Sequence, residues 1–348
     1  MFFDLSIIYP FADALLQIVK NWWWAPLPFL LWPSARYLYR FYLMRQWDKT
    51  QKRILLEIRV PKDTVKSIKA MDQVFAGFHG IHDIPTWREK WVEGVFQLSL
   101  SLEIVSIEGR IHFYIRTPAA FRKLIESNIY SQYPEAEIFE AEDYTKNVPQ
   151  DIPNNDWDVW GVDFINAKNE LMPIKTYRQF ETEADDKEEK KVDPLSDFLE
   201  GLSTLGPGEQ FWLQIIVKPV LGKDKPWQES GRELANKLAR RPEQKKQEPI
   251  IQEALKILIV GKTEEKEEPK EIIPLEMKLT PGEREILFAL EQKLSKFGFD
   301  CNIRFVYLGK KDVFFKPTVK IGFSFFKEIS TENLGGLRPW AKTMSKVK

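Results

Sequence analysis

The stretch "VFQLSLSLEIVSI" (95–107) constrains the fold more than any other part of the chain. Phe96, Leu98, Leu100, Leu102 and Ile104 alternate strictly with polar residues, a period of two that only a strand puts on one face. Glu108-Gly109 then supplies a tight turn into "RIHFYIR", where Ile111, Phe113 and Ile115 again share a face. The result is an antiparallel hairpin with one apolar side. Its other side carries Gln97, Ser99, Ser101, Glu103, His112, Tyr114 and Arg116. A hairpin alone is marginal in water, so its apolar side needs cover from the flanking segments.

Those segments supply it. "RILLEIRV" (53–60) alternates and is closed by Pro61, and "KDTVKSIKAMDQVFAGFHG" places Val65, Ile68, Met71, Phe75 and Phe78 at helical spacing. After the hairpin, Thr117-Pro118 opens the helix "AAFRKLIESNIYSQY", and "EAEIFEA" reads as a short strand. Strand, helix, strand, strand, helix, strand is the ferredoxin-like βαββαβ pattern. A second pass through the same order is expected beyond it. "DWDVWGVDFI" and "QFWLQIIVK" are strands flanking a helix that starts at Asp193-Pro194. "IIPLEMKL" follows a lysine- and glutamate-rich insertion, "TPGEREILFALEQKLSKFG" is a helix with a Thr280/Glu283 capping box, and "FDCNIRFVYL" closes the unit. The predicted class is α+β: N-terminal membrane-anchoring helices, then two ferredoxin-like units. The boundaries are 1–50 for the anchor, 51–148 and 149–312 for the two units, 220–271 for the insertion and 313–348 for a tail.

The anchor is read from "NWWWAPLPFLLWP" (21–33), whose prolines exclude a core strand. Residues 1–53 carry seven basic against three acidic residues, a net of +4, and six of the seven basic residues follow the tryptophan run. Tryptophan and tyrosine gather where hydrocarbon meets headgroups, and arginine and lysine gather on the cytoplasmic side. Trp22, Trp23, Trp24 and Trp32, followed by Arg36 and Arg40, fit that order. Membrane lipid is therefore an expected partner, with the bulk of the chain cytoplasmic. A bent helix pair dipping into one leaflet suits the prolines as well as a full span does. An amphipathic helix packed on the folded body is the alternative. No basic leader or small-residue cleavage site marks a signal peptide.

The sequence carries no complete catalytic pattern. "KILIVGKTEEKE" offers Gly261, Lys262 and Thr263, but Lys256 stands where a phosphate-cradling loop requires its first glycine. His79 and His82 make an H-x-x-H with only His112 left as a third histidine, short of a zinc set. Cys301, the sole cysteine, falls on the apolar side of its strand and reads as a small core residue. No cofactor, metal or enzymatic activity is expected. With 51 basic and 51 acidic residues the chain lacks the surplus of a dedicated nucleic-acid binder. A base-stacking sheet face remains the rival reading, as does a weak DNA contact through Arg232, Lys237, Arg240 and Arg241.

Several phrases occur in one order: "LLEIRVPKD", "AMDQVFAGFHG", "SLEIVSIEGRIHFYIR", "IYSQYPEAEIFEAEDYT", "MPIKTY" and "GEQFWLQIIVKP". Behind a tryptophan-rich N-terminus, the chain resembles the N-terminal membrane-associated region of bacterial type IV secretion, conjugation-type DNA-transfer ATPases, over most of residues 15–330. The resemblance implies a non-catalytic scaffold or docking component that meets a motor ATPase or another secretion-system subunit at the membrane, the motor lying on another polypeptide or in a C-terminal portion. The expected contact surface is the polar hairpin face: Ser99, Ser101, Glu103, His112, Tyr114 and Arg116.

Overall fold

The computed structural model describes residues 17, 20, 21, 24, 27–61, 68–183, 194–222, 225–241 and 279–345. They fall into two compact units, one made of the chain up to Lys52 with Asp83–Gln97, the other of the remainder.

In the first unit, helix α1 (Leu27–Thr50) runs 24 residues with Pro33 inside it. The return segment Asp83–Gln97 packs along it. Gly94 adopts φ +79°, and a Cβ there would lie 2.4 Å from the Leu43 carbonyl oxygen, so only glycine lets the two backbones come this close. Trp47 meets Phe96 edge-on at 5.2 Å, and the Arg36 guanidinium lies 4.3 Å above Trp91. No residue of α1 is buried. Among the described residues no helix is long and apolar enough to cross a membrane. This corrects the expected membrane-anchoring helices: Arg36, Arg40 and Arg45 recur through α1 and break the apolar run a span requires. Trp22 and Trp23 lie outside the described residues.

The second unit is built on one eight-stranded antiparallel sheet. Its strands are β1 (Arg53–Arg59), β2 (Leu100–Ile107), β3 (Arg110–Pro118), β4 (Glu137–Ala141), β5 (Trp157–Asn166), β6 (Glu209–Val220), β7 (Gly298–Lys310) and β8 (Leu337–Pro339). They lie in the order β4-β1-β3-β2-β6-β7-β5-β8. The β2–β3 turn is the one expected, with Glu108 at φ 53° and Gly109 at φ 79°.

The two expected ferredoxin-like units are joined in a single sheet, and each half has its strands in the same order, fourth, first, third and second from its outer edge. Strands β2 and β6, which would each end a four-stranded sheet, pair with one another from Leu100↔Val217 to Ile107↔Gln210. An unpaired edge invites association, and pairing two edges removes both. The strand orders of the two halves run outward from this seam in mirrored sequence.

One face of the sheet is covered by helices. Helices α2 (Lys69–Phe78) and α3 (Arg122–Gln132) bury Val74, Phe78, Ile125 and Ile129 against Ile54, Leu56, Leu100 and Ile115. Over the other half, α5 (Pro194–Ser203) and α8 (Lys320–Glu328) enclose Phe164, Phe198, Phe211, Phe305 and Phe326; α4 (Tyr177–Glu183) precedes α5. Helix α8 and β8 fall in the stretch 313–348, expected as a tail. They complete the second half, while β7, expected to close it, is an inner strand between β6 and β5. Between β6 and β7 stand α6 (Trp227–Leu238) and α7 (Pro281–Leu294), which share a satellite core of Ala235, Ala239, Leu287, Leu290 and Leu294. The predicted capping box of α7 is present: Thr280 Oγ1 accepts from the Glu283 amide, and the Glu283 carboxylate accepts from the Thr280 amide at 2.8 Å. "IIPLEMKL", but for Leu279, and Gly261–Thr263 lie outside the described residues.

Candidate functional site: a polar row across the sheet

The second sheet face is crossed by the segment that links β4 to β5. From it Tyr144 and Val148 bury themselves among Leu55, Val105, Tyr114, Trp212 and Leu308. The polar face predicted from the hairpin is thus partly internal. Tyr114 is only 6% exposed, stacked between His112 at 5.6 Å and Tyr144 at 5.4 Å. Burial, together with the nearby Glu57 carboxylate, pushes its phenol up to about 12.

Register brings four polar side chains into one row. Tyr114 of β3 is opposite Glu103 of β2, Glu103 is opposite Gln214 of β6, and Gln214 is opposite Arg304 of β7. Side chains directly opposite one another stand close enough to bond, and Tyr144 completes the row from above. Arg304 Nε donates to Gln214 Oε1 at 2.7 Å, and Gln214 Nε2 donates to the Tyr144 hydroxyl at 2.7 Å. That hydroxyl donates to Glu103 Oε2 at 2.6 Å. On the other side, Arg116 Nε donates to Glu103 Oε1 at 3.4 Å, and its two terminal nitrogens hold Asp143 at 2.8 and 2.9 Å. Asp143 also accepts from the Thr145 hydroxyl at 2.7 Å.

The electrostatics follow from this geometry. Glu103 is 4% exposed and would be costly to bury unpaired; it is held by one phenol and one guanidinium. The Arg116 fork keeps the Asp143 carboxyl well below the usual carboxylate range, and Asp143 in turn holds Arg116 above its ordinary value. Burial, then the Glu103 charge, raises Tyr144 so that it stays a neutral donor.

A cavity of about 230 Å³ opens beside the row. Ser99, Ser101, Glu103 and Arg116 of the predicted surface line it, joined by Arg53, Thr117, Thr145, Gln214 and Arg304. His112 and Tyr114 do not line it; His112 Nδ1 lies 3.0 Å from Glu57 Oε1 instead. Arg304, Gln214, Tyr144 and Asp143 were absent from the predicted site. Alternation in "FDCNIRFVYL" does place Arg304 on this face, but its partner is set by a strand about ninety positions away along the chain, which no local pattern reveals.

A larger cavity, about 680 Å³, lies by the satellite helices. Phe164, Met172, Trp227, Phe297 and Phe299 give it apolar walls, and Cys301 and Lys293 reach it. Lys293 Nζ donates to the carbonyls of Glu170 at 2.6 Å and Met172 at 3.2 Å, and burial holds its ammonium below the usual lysine range. Cys301, expected in the core, touches solvent in this wall, and the surrounding protein pushes its thiol up to about 11.

The remaining sequence candidates have structural partners. His79 is buried, stacks on Phe297 at 4.8 Å, and its Nε2 lies 3.3 Å from the Val220 carbonyl oxygen. Among the described residues no three His, Cys, Asp or Glu side chains gather as a metal set. The basic end of α6 faces acids of α7: Arg240 pairs with Glu283 at 3.4 Å and Arg241 with Glu291 at 3.5 Å.

Fold and site thus define an α+β protein whose two four-stranded halves share one sheet and enclose a polar row beside their seam. Residues 43–315 match the family described as Domain of unknown function (DUF8128), and the chain belongs to that family. No curated protein and no solved structure matches it.

Proposed function

We propose that the chain is a non-catalytic docking component that rests at the cytoplasmic surface of a membrane and presents its sheet body to a motor ATPase of a type IV secretion-like transfer apparatus. The observation that carries this reading is α1. Phe29 is 83% exposed, Trp32 66% and Tyr37 70%, and Leu30, Leu38, Tyr39, Phe41 and Tyr42 are exposed with them. So many exposed large apolar side chains on one helix mark a contact. Tryptophan and tyrosine mixed with Arg36, Arg40, Arg45 and Lys49 suit the interfacial layer of a bilayer, where rings and guanidinium groups both find partners. The motor partner rests on the sequence resemblance. A nucleic-acid platform draws less support, because Tyr114, the aromatic that would stack bases, is buried.

Flotation with lipid vesicles tests the membrane half of the proposal. The full chain is expected to float with vesicles containing anionic lipid, and a Trp32→Ser, Tyr37→Ser, Phe41→Ser variant to remain at the bottom with an unchanged melting temperature. Equal flotation of the two proteins, or none by the wild type, contradicts it.

A further inference from the structure

We infer that Arg36 and Arg40, held beside Trp91, form the headgroup site of the membrane-contacting unit and take the phosphate of an anionic phospholipid. The inference rests on the membrane reading above and names the group of the lipid that the protein grips.

The observation that carries it is a single nitrogen. Arg40 Nε is closed to solvent and has no hydrogen-bond partner, the one side-chain atom of that kind among the described residues. Buried donors are nearly always paired, and one that is not points to an acceptor still to arrive. Neither Arg36 nor Arg40 has an ion pair among the described residues; instead their guanidinium carbons lie 4.3 and 5.6 Å from the centroid of the Trp91 ring. Two acids stand on the same turn as Trp91, and neither serves them. Glu89 accepts from the Thr86 amide and hydroxyl, and Glu93 pairs with Arg88 at 3.8 Å.

The fold builds this pair. Arg36 and Arg40 are four residues apart on α1, so their side chains leave the same face one turn apart. Trp91 belongs to a single helical turn, Glu89–Glu93, in the return segment. Gly94 seats that turn on α1 by its backbone approach to Leu43, and the Trp47–Phe96 contact holds the chain just beyond it. The fold thus places the ring, and the ring places the two guanidinium groups. Two like charges share one ring with no acid to offset them. An anion with several oxygens between them would relieve the repulsion. A small turn of the Arg40 side chain opens the edge made by Nε and its neighbouring terminal nitrogen, which receives two oxygens at once.

The position of the pair selects the anion. Trp32 stands one turn before Arg36, and Tyr37 and Phe41 directly follow the two arginines; all three rings are exposed. Such rings settle where hydrocarbon meets headgroups, which sets the guanidinium groups level with the lipid phosphates. The arginine fork matches phosphate oxygens. A phosphatidylcholine phosphate is already offset by its own ammonium group, whereas a phosphatidylglycerol phosphate is not, so the second is preferred.

The test is co-sedimentation of the full chain with phosphatidylcholine vesicles, with and without phosphatidylglycerol. Wild type should bind the mixed vesicles more tightly. Arg36→Lys with Arg40→Lys keeps every charge but removes the forks, and should lose about tenfold in affinity for the mixed vesicles. Arg40→Lys alone, a milder change, should lose affinity in the same direction. Arg45→Lys, on the same helix but over Phe41 rather than Trp91, should bind as wild type does. Melting temperatures should match throughout. Diffuse attraction to an anionic surface predicts no loss in any of the three, because it depends on charge alone. Equal binding by wild type and the double variant would therefore overturn the inference. So would displacement from the vesicles by inorganic phosphate no more concentrated than the lipid, which would mark a free-phosphate site. Displacement by an oligothymidylate would overturn it as well, as a nucleic-acid contact. Failure of the membrane reading looks different: wild type then binds neither kind of vesicle, whereas failure of the headgroup site leaves vesicle binding that the double variant retains in full.

Discussion

The Tyr144 hydroxyl reaches across from the β4–β5 link to donate to Glu103 Oε2 at 2.6 Å, tying the segment between the two halves to the strand at their seam. This bond gives the buried Glu103 side chain a protein donor where water is excluded. Tyr144→Phe removes the donor to Glu103 and the acceptor for Gln214 together. Leaving buried polar groups unpaired costs about 1–3 kcal/mol. Urea unfolding of Tyr144→Phe should show a loss of that size with an unchanged slope, and a loss within error of zero would mean that the row contributes nothing.

The Arg116–Asp143 pair predicts how stability responds to acid. The native Asp143 carboxyl is depressed, so the unfolded chain takes up the proton first. The stabilisation is therefore present above the unfolded carboxylate value, about 4, and is lost as pH falls from there toward the native value. Asp143→Asn should be less stable than wild type near neutrality, and the gap should narrow on acidification below about pH 4. Denaturation series at several pH values check this; a gap that widens with acid would contradict it.

The first hairpin was the most legible part of the chain because its strand period, turn and apolar face are all local. The Glu108-Gly109 turn and the Thr280/Glu283 cap could be read for the same reason: each is complete within four residues. The joining of β2 to β6 could not be read. It depends on two edges more than a hundred positions apart finding one register. Helix α8 was hidden because "KIGFSFFKE" looks like a short apolar tail until Phe164, Phe211 and Phe305 are in place beneath it. The polar face was assigned to the right residues but the wrong exposure, since nothing near Tyr114 announces that Tyr144 will cover it.

That hidden helix gives a prediction of its own. A Cβ on Gly322 would sit 2.7 Å from Phe305 Cε1 and 2.9 Å from Phe211 Cζ, inside the core of the second half. Overpacking of this kind costs about 1–3 kcal/mol. Gly322→Ala should lower the melting temperature, whereas Gly80→Ala, whose Cβ meets only Leu124 Cδ1 at an ordinary 3.6 Å, should change it little. Equal effects would mean that α8 is not packed as described.

Cys301 offers a probe of the larger cavity. A thiol at about 11 holds little thiolate near neutrality. Although its side chain is exposed, the thiol is held above the ordinary range, so at about pH 8 it should alkylate more slowly than a free cysteine thiol, and the rate should climb with pH past the ordinary thiol range. Mass spectrometry of iodoacetamide-treated protein measures this directly. Modification as fast as that of glutathione would show that the thiol is not held above its ordinary range.

The central claim, that this chain brings a motor to a membrane surface, is tested most directly by a three-component flotation. A motor ATPase of the type IV secretion class, the full chain and anionic vesicles are mixed and separated on a density gradient. The ATPase is predicted to float only when both chain and vesicles are present, and to stay at the bottom with the Trp32→Ser, Tyr37→Ser, Phe41→Ser variant. An ATPase that floats without the chain, or never floats with it, would contradict the account.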